Sequence, residues 1–253
     1  MQPYRPDQPF DPVAAPGALP PDLLPAETLS VVIPTLNAAA ALPLCLAALR
    51  DARARGVVDQ VVVADGGSTD ATREIARDAA AIVVAGAPGR GRQLAAGASA
   101  AAGDWLLFLH ADTRLQPDWV TAMLTYLVQP DAGARAAVFR LAFDEVSPGA
   151  ERVARLANWR TARLGLPYGD QGLLIRRDLY DAVGGFPDVA LMEDVMLACR
   201  LGRGRLRMLR ATAVTSAARY RRHGWWRRPL RNLSVLALWG LGAPPGLLRR
   251  LYG

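Results

Sequence analysis

The chain contains no lysine; all 30 of its basic residues are arginine. That absence excludes a Schiff-base lysine and a phosphate-loop lysine, and with them whole classes of covalent and P-loop chemistry. Cysteine is nearly as scarce. Cys45 and Cys199 are the two present; each falls in an apolar helical pattern with no metal-ligand spacing nearby, so both are expected as reduced core thiols. No apolar run reaches the roughly 18 residues of a membrane-spanning helix. The N-terminal stretch lacks the charged-then-apolar order of a secretory signal. No glycine-rich phosphate turn follows the first apolar run, which argues against a dinucleotide-dependent dehydrogenase.

What is present fits one large domain, or one domain with an appendage. The 253 residues are 51% hydrophobic, enough for a sizeable core, and carry a formal net charge of +7. A basic balance invites nucleic acid, phosphate ligands or an anionic membrane. Residues 1–27 hold Pro3, Pro6, Pro9, Pro12, Pro16, Pro20, Pro21 and Pro25 and read as a flexible lead. Then short apolar runs alternate with helical stretches. Strands are expected at Leu29–Ile33, Gln60–Ala64, Ala81–Ala85 and Trp105–Leu109, and helices at Ala39–Arg50, Asp70–Ala80 and Gln93–Ala102. This alternation implies an α/β fold with a doubly wound, Rossmann-type, mostly parallel sheet flanked by helices. Farther on, Ala136–Phe143 and Leu173–Ile175 read as strands. Ala150–Leu164, Asp178–Val183 and Asp194–Leu201 read as helices. A main domain over 28–225 and a basic, apolar helical extension over 226–253 complete the expected organisation.

Ligands of such sheets sit beyond the carboxyl ends of the strands, so the loops there are the places to look for chemistry. The first is PTLN, Pro34 to Asn37. The second is ADGGSTD, Ala64 to Asp70, where Asp65 ends a strand, Gly66 and Gly67 permit close backbone approach and Ser68 can cap the next helix. Asp65 could accept hydrogen bonds from a base imide or a ribose hydroxyl, or simply close a strand-to-helix turn. The third is PGRGRQ, whose Arg90, Arg92 and Gln93 stand near a helix head that favours anions; a solvated basic turn is the plainer alternative. The fourth is FLHADT. Asp112 there can hold a divalent cation, Mg or Mn, that bridges two phosphates, and His110 is either a helper ligand or a packing residue.

In this order the motifs resemble those of the family 2 glycosyltransferases: P-x-x-N after a strand, then D-D-G-S-x-D, then an apolar strand ending in D-x-D. The resemblance continues with GGF at Gly184–Phe186, the acidic pair Glu193–Asp194, and Arg200 on the following helix. It covers about residues 29–225. Each motif is common alone; five in order are specific. The run RGRQ, the segment DQGLLIRR and MEDV resemble a narrower bacterial subgroup, sometimes found beside radical-enzyme genes. Two positions depart from the family pattern. Gly66 replaces the second aspartate of D-D-G-S, and His110 replaces the first of D-x-D. Imidazole favours softer ions than magnesium.

The resemblance implies a GT-A-like fold and inverting sugar transfer from a nucleotide-diphosphate sugar. It implies donor contacts from Pro34, Thr35, Asn37, Asp65, Gly67, Arg90, Arg92, Gln93 and Asp112, with Asp112 and His110 at the metal. An inverting transfer needs one base for the acceptor hydroxyl and charge neutralisation for the departing diphosphate. The resemblance favours Asp194 as that base, with Glu193 facing a supporting partner; a helix cap is the structural alternative for the pair. Asp170, Gln171 and Trp225 are expected around the acceptor. Six arginines between Arg219 and Arg231, interleaved with Trp225 and Trp226, precede the apolar stretch Leu233–Leu241. They imply a cytoplasmic protein held peripherally at the inner face of the cell membrane, acting on a lipid or lipid-linked acceptor. A core-packing helix whose arginines meet donor phosphates is the competing reading. A degenerate, inactive family member and a nucleic-acid-binding protein are the rival functions. No nucleic-acid motif accompanies the charge, so nucleic acid is not expected as a partner. A D-x-D-x-T phosphotransferase is excluded because His110 stands where its nucleophile belongs.

Overall fold

The structure is a computed structural model that describes residues 27–189, 191–243 and 245–252. The proline-rich lead up to residue 26, and Pro244, lie outside the described residues. Eight strands form one sheet in the order β3-β2-β1-β4-β7-β6-β8-β5. Strands β1 (Leu29–Thr35), β2 (Gln60–Asp65), β3 (Ile82–Ala85) and β4 (Trp105–Phe108) pair in parallel. Strand β7 (Leu173–Arg176) runs antiparallel to both β4 and β6 (Ala136–Phe143). Strand β8 (Leu206–Thr215) lies parallel to β6 and carries the short β5 (Thr113–Leu115) antiparallel at the edge.

The apolar runs of β1, β2 and β4 are continuous because both sheet faces are covered. Alternate residues of β1 serve opposite cores. Val31 and Ile33 pack with Leu42, Cys45 and Leu49 of α1 (Leu42–Ala54) and with Trp119, Val120 and Met123 of α4 (Trp119–Leu127). Val32 packs with Leu94 and Ala98 of α3 (Arg90–Ala100) and with Leu197, Ala198 and Leu201 of α7 (Glu193–Leu201). Helix α2 (Thr72–Asp78) joins β2 to β3, and α6 (Arg177–Ala182) follows β7. Helix α5 (Pro148–Leu164) starts where the Ser147 hydroxyl accepts the Ala150 N–H at 3.2 Å, and it ends at Gly165 in the left-handed conformation. Its inner face packs on Leu141 and Phe143. After α8 (Ala218–His223), helix α9 (Arg227–Gly240) returns to the body of the protein, with Val235 buried beside Met192 and Val195.

The α/β sheet matches the expected class, with its parallel half in the N-terminal region and antiparallel pairs beyond it. Several details correct the sequence reading. Cys45 is buried but Cys199 is exposed, so α7 turns that thiol away from the core. Helix α3 begins at Arg90 rather than Gln93, which puts the whole RGRQ run in its first turn. Ser68 does not cap α2; the N–H of Thr72 goes to Asp70 Oδ1 at 3.0 Å instead. Strands β5 and β8 and helix α4 were not expected from the pattern. Pro245 opens a further helix, α10 (Pro245–Tyr252), since proline is accepted in a first helical turn.

Candidate active site

Strand β4 delivers its chain to the carboxyl edge of the sheet, where His110 and Asp112 form the turn into β5. That turn is tied down. The Ser216 N–H donates to the Asp112 carbonyl at 3.1 Å, and Thr113 Oγ1 donates to Thr215 Oγ1 at 3.2 Å. On the opposite side, the first turn of α7 presents Glu193 and Asp194. The 3-10 turn Gly169–Gln171 crosses between them. One cleft results, lined by Arg90, His110, Asp112, Asp170, Glu193 and Asp194 among the expected site residues. It is also lined by residues outside the expected set, among them Tyr168, Thr215, Ser216 and Tyr220, and by Arg219 and Arg228 of the basic cluster.

The adjacent acids of α7 diverge. Glu193 is buried and its Oε1 lies 3.6 Å from Arg90 Nη1. Burial, and then the Asp194 charge, push the Glu193 carboxyl above its ordinary range against the pull of Arg90. Asp194 is half-buried; its Oδ2 accepts the Gly169 N–H at 2.9 Å and its Oδ1 accepts the Val195 N–H at 2.7 Å. Both oxygens are thus oriented at the positive end of a helix. Neither acid is the N-cap, which is Met192.

Asp170 lies between these groups. Its Oδ1 is buried without a hydrogen-bond partner among the described residues. Burial pushes its carboxyl up to about 6, helped by the Asp194 and Asp112 charges and opposed by Arg160 and Arg90. His110 is held well below its usual value by burial and by the Arg90 and Arg219 guanidiniums, so its ring is neutral at physiological pH. A Cβ placed on Gly169 would come within 2.8 Å of His110 Cε1 and closer still to Nε2. Only glycine lets the turn lie so close to the ring.

The remaining expected donor residues sit beside this cleft rather than in it. The Asp65 carboxylate is fully engaged by its own chain. Oδ1 accepts from Thr35 Oγ1 at 3.1 Å and from Ser68 Oγ, and Oδ2 accepts from the Gly67 and Ser68 N–H groups and from Arg73 Nε at 2.7 Å. Burial alone would raise this carboxyl, but the Ser68 and Arg73 bonds outweigh it and hold it at about 2. Gly67 makes the turn with a φ of 94°, which favours glycine. Asn37 receives the Thr69 N–H at 2.9 Å and gives its own N–H to Ser68 Oγ at 2.8 Å, so the PTLN and DGGSTD loops form one unit. Gln93 is buried and its Nε2 bridges the Thr35 and Ala64 carbonyls at 2.6 and 2.9 Å. Pro34 is half-buried at the end of β1. Arg92 is exposed and paired with Asp188 at 3.0 Å.

Two of the three acceptor candidates also lie outside the cleft lining. Gln171 is wholly buried, accepting from Thr161 Oγ1 at 2.6 Å and donating to the Phe139 carbonyl at 3.1 Å. Trp225 stacks on Tyr220 with centroids 4.9 Å apart and meets Phe143 edge-on at 5.2 Å. The basic cluster itself divides. Arg228 is buried and reaches the cleft, Arg219 lines its rim, and Arg221 pairs with Glu145 at 3.3 Å on the outside.

Among the described residues no three His, Cys, Asp or Glu side chains form a ready metal cage. Asp112 with the neutral His110 still fits an open site. Magnesium-type ions are commonly held by one or two carboxylates, with substrate phosphates and water completing the shell.

A sheet of this order, with helices on both faces and acidic residues at its carboxyl edge, is the GT-A glycosyltransferase architecture. A sequence model of glycosyl transferase family 2 matches residues 30–184, and the chain belongs to that family. It is similar to a PGL/p-HBAD biosynthesis glycosyltransferase of Mycobacterium tuberculosis, 39% identical over a 106-residue alignment that covers 36% of this chain and 37% of the relative. The match thus spans well under half of that relative's length. Among solved structures it resembles glucosyl-3-phosphoglycerate synthase from Mycobacterium tuberculosis in complex with Mn2+, uridine diphosphate and glucosyl-3-phosphoglycerate. The TM-score is 0.55 at 23% identity, covering 77% of this chain and 72% of that one. A further mycobacterial protein gives a TM-score of 0.56 at 25% identity, covering 77% and 67%. At these identities the solved structures speak for the fold.

Proposed function

We propose that the protein transfers a hexose, with inversion, from a nucleotide-diphosphate sugar to a lipid or lipid-linked acceptor. The observation that carries this reading is the convergence of Asp112, Asp170 and Asp194 with Arg90, Arg219 and Arg228 in one cleft beyond the strand ends. Acids to take a proton and cations to receive a diphosphate are what the reaction requires. The relatives point the same way: the synthase in the similar structures binds uridine diphosphate glucose with Mn2+.

In this reading the loops of Pro34–Asn37 and Asp65–Asp70 receive the nucleoside, uridine or guanosine. Asp65 acts by fixing the shape of that floor, and Gln93 locks it to the sheet. The diphosphate lies toward Arg90, Arg219 and Arg228, with Arg92 at the entrance. When a divalent cation, Mg or Mn, is bound, Asp112 and His110 hold it, and it supplies positive charge to the diphosphate oxygens. Asp194 takes the proton from the acceptor hydroxyl. The freed oxygen bonds to the anomeric carbon from the face opposite the diphosphate, and the bond from that carbon to the diphosphate oxygen breaks. One displacement inverts the centre. Glu193 holds Arg90 in place, and Asp170 shapes the acceptor side with Gln171 beneath it. Trp225 supports the acceptor wall by fixing Tyr220.

Replacing Asp194 with asparagine tests this assignment. Transfer should fall by about a hundred to ten thousand fold, the usual cost of removing a general base, while nucleotide binding stays. Transfer at the wild-type rate would exclude Asp194 as the base.

A further inference from the structure

Helix α9 has two unlike faces. Arg228 and Asn232 line the cleft, and Val235, one turn on, is buried in the body of the protein. On the opposite face Trp226, Leu230, Leu233, Ala237 and Leu241 follow at spacings of four, three, four and four residues, and all five are exposed. That spacing makes one continuous stripe on a helix. The large members are well open to solvent: Trp226 is 61% exposed, Leu230 59%, Leu233 60% and Leu241 84%. The surface continues onto α5. The Arg152 guanidinium sits over the Trp226 ring at 4.1 Å, and Leu156, Trp159 and Arg163 follow Arg152 at helical spacing, all exposed. Leu247 and Leu251 of α10 are exposed too.

On the C-terminal side of this surface the charge has one sign, while α5 adds the exposed acid Glu151 beside Arg152. After Asp194 the chain contains thirteen arginines and no acidic residue. Arg222, Arg227 and Arg250 are exposed.

We infer that the outer faces of α9 and α5 form a docking surface for an anionic lipid bilayer, with Trp226, Trp159, Leu230 and Leu233 entering the headgroup boundary. Tryptophans and leucines bordered by arginines suit such an interface, where apolar burial and attraction to acidic lipid add. A nucleic acid would use the arginines but leave the leucine stripe in water. The inference deepens the proposed acceptor class and rests on that reading. Because α9 carries the docking stripe on one face and cleft residues on the other, docking sets the cleft one helix diameter from the lipid surface. An acceptor hydroxyl carried on a membrane lipid is then in reach.

Co-sedimentation with vesicles tests this. The full chain should bind vesicles containing phosphatidylglycerol, and bind pure phosphatidylcholine vesicles at least tenfold more weakly. Raising salt should weaken binding, since exposed charge attraction is screened. The double substitution Leu230→Glu with Leu233→Glu, and separately Trp159→Ala, should reduce the bound fraction several-fold. A thermal shift with uridine diphosphate, unchanged from wild type, would show that these variants keep their fold and donor site. Wild type that stays in solution with anionic vesicles at low salt overturns the inference. So does a Leu230, Leu233 variant that binds like wild type, or binding to duplex DNA in preference to vesicles. A retained nucleotide shift in those cases would leave the transferase reading standing.

Discussion

Gly169 gives its backbone N–H to Asp194 Oδ2 at 2.9 Å, and its Cα side lies against the His110 ring. One glycine therefore sets the proposed base and the proposed metal helper in register. A Gly169→Ala substitution should push the imidazole out of place while leaving the N–H intact. The expected result is a folded protein with weakened metal-dependent nucleotide binding and a kcat at least tenfold down. Isothermal titration with and without Mn2+, together with circular dichroism, measures both. Unaltered metal dependence would detach His110 from the cation.

Asp170 gives a pH-dependent stability of definite sign. Its carboxyl rises from 3.8 to about 6 on folding, so between those values the folded state holds a proton that the unfolded state has lost. Stability from this group therefore falls as pH climbs through that window. Asp170→Asn removes the effect and should stabilise the protein by about 1–2 kcal/mol at pH 7.5, with no gain at pH 3.5. Thermal melts of both proteins at the two pH values measure it. A variant less stable at pH 7.5 would show that the ionised carboxylate is held by favourable contacts instead.

Asp65 behaves in the opposite way. Held at about 2 in the fold against 3.8 outside it, its carboxylate contributes stability that is present above pH 4 and lost as pH falls toward 2. Asp65→Ala leaves the Ser68 and Gly67 N–H groups and Arg73 without their acceptor. It should cost about 2–4 kcal/mol at pH 7, and the gap from wild type should narrow in acid. Urea unfolding at pH 7 and pH 3 measures this. Equal midpoints at pH 7 would mean that the loop is held by Asn37 and Thr72 without it.

The N-terminal half of the fold was legible because each buried strand is a short aliphatic run between helices, as in LSVVI, QVVVA and WLLFL. Strand β8 was not, because Arg207 and Arg210 interrupt its apolar pattern and the sheet buries only part of it. Helix α4 is nine residues long and mixes Trp119, Val120 and Met123 with threonines, so neither caps nor a clear polar face announced it. In the site, motif order located His110, Asp112, Asp170, Glu193 and Asp194, which the fold gathers into one cleft. Residues whose work is internal look the same in a motif as residues facing a ligand. Gln93, Gln171 and Asp65 prove to be satisfied inside the protein, and a linear sequence does not show where their bonds go. Arg219 and Arg228 were visible as charge, but only the placement of α8 and the return of α9 onto the body of the protein bring them to the cleft. Their signal was the pairing of basic residues with an apolar helix that has a buried face.

The most direct test of the proposed donor site is titration calorimetry of uridine and guanosine diphosphates against wild type and Asp112→Ala, each with and without Mg2+ or Mn2+. In the proposed reading Asp112 holds the cation at the diphosphate, and Arg219 and Arg228, which line the same cleft, hold that group. One of the two nucleotides should bind wild type more tightly with metal than without, and Asp112→Ala should lose that metal dependence and at least tenfold in affinity. Absence of binding by either nucleotide under all conditions, or identical metal-dependent binding by Asp112→Ala, would contradict the donor site proposed for this cleft.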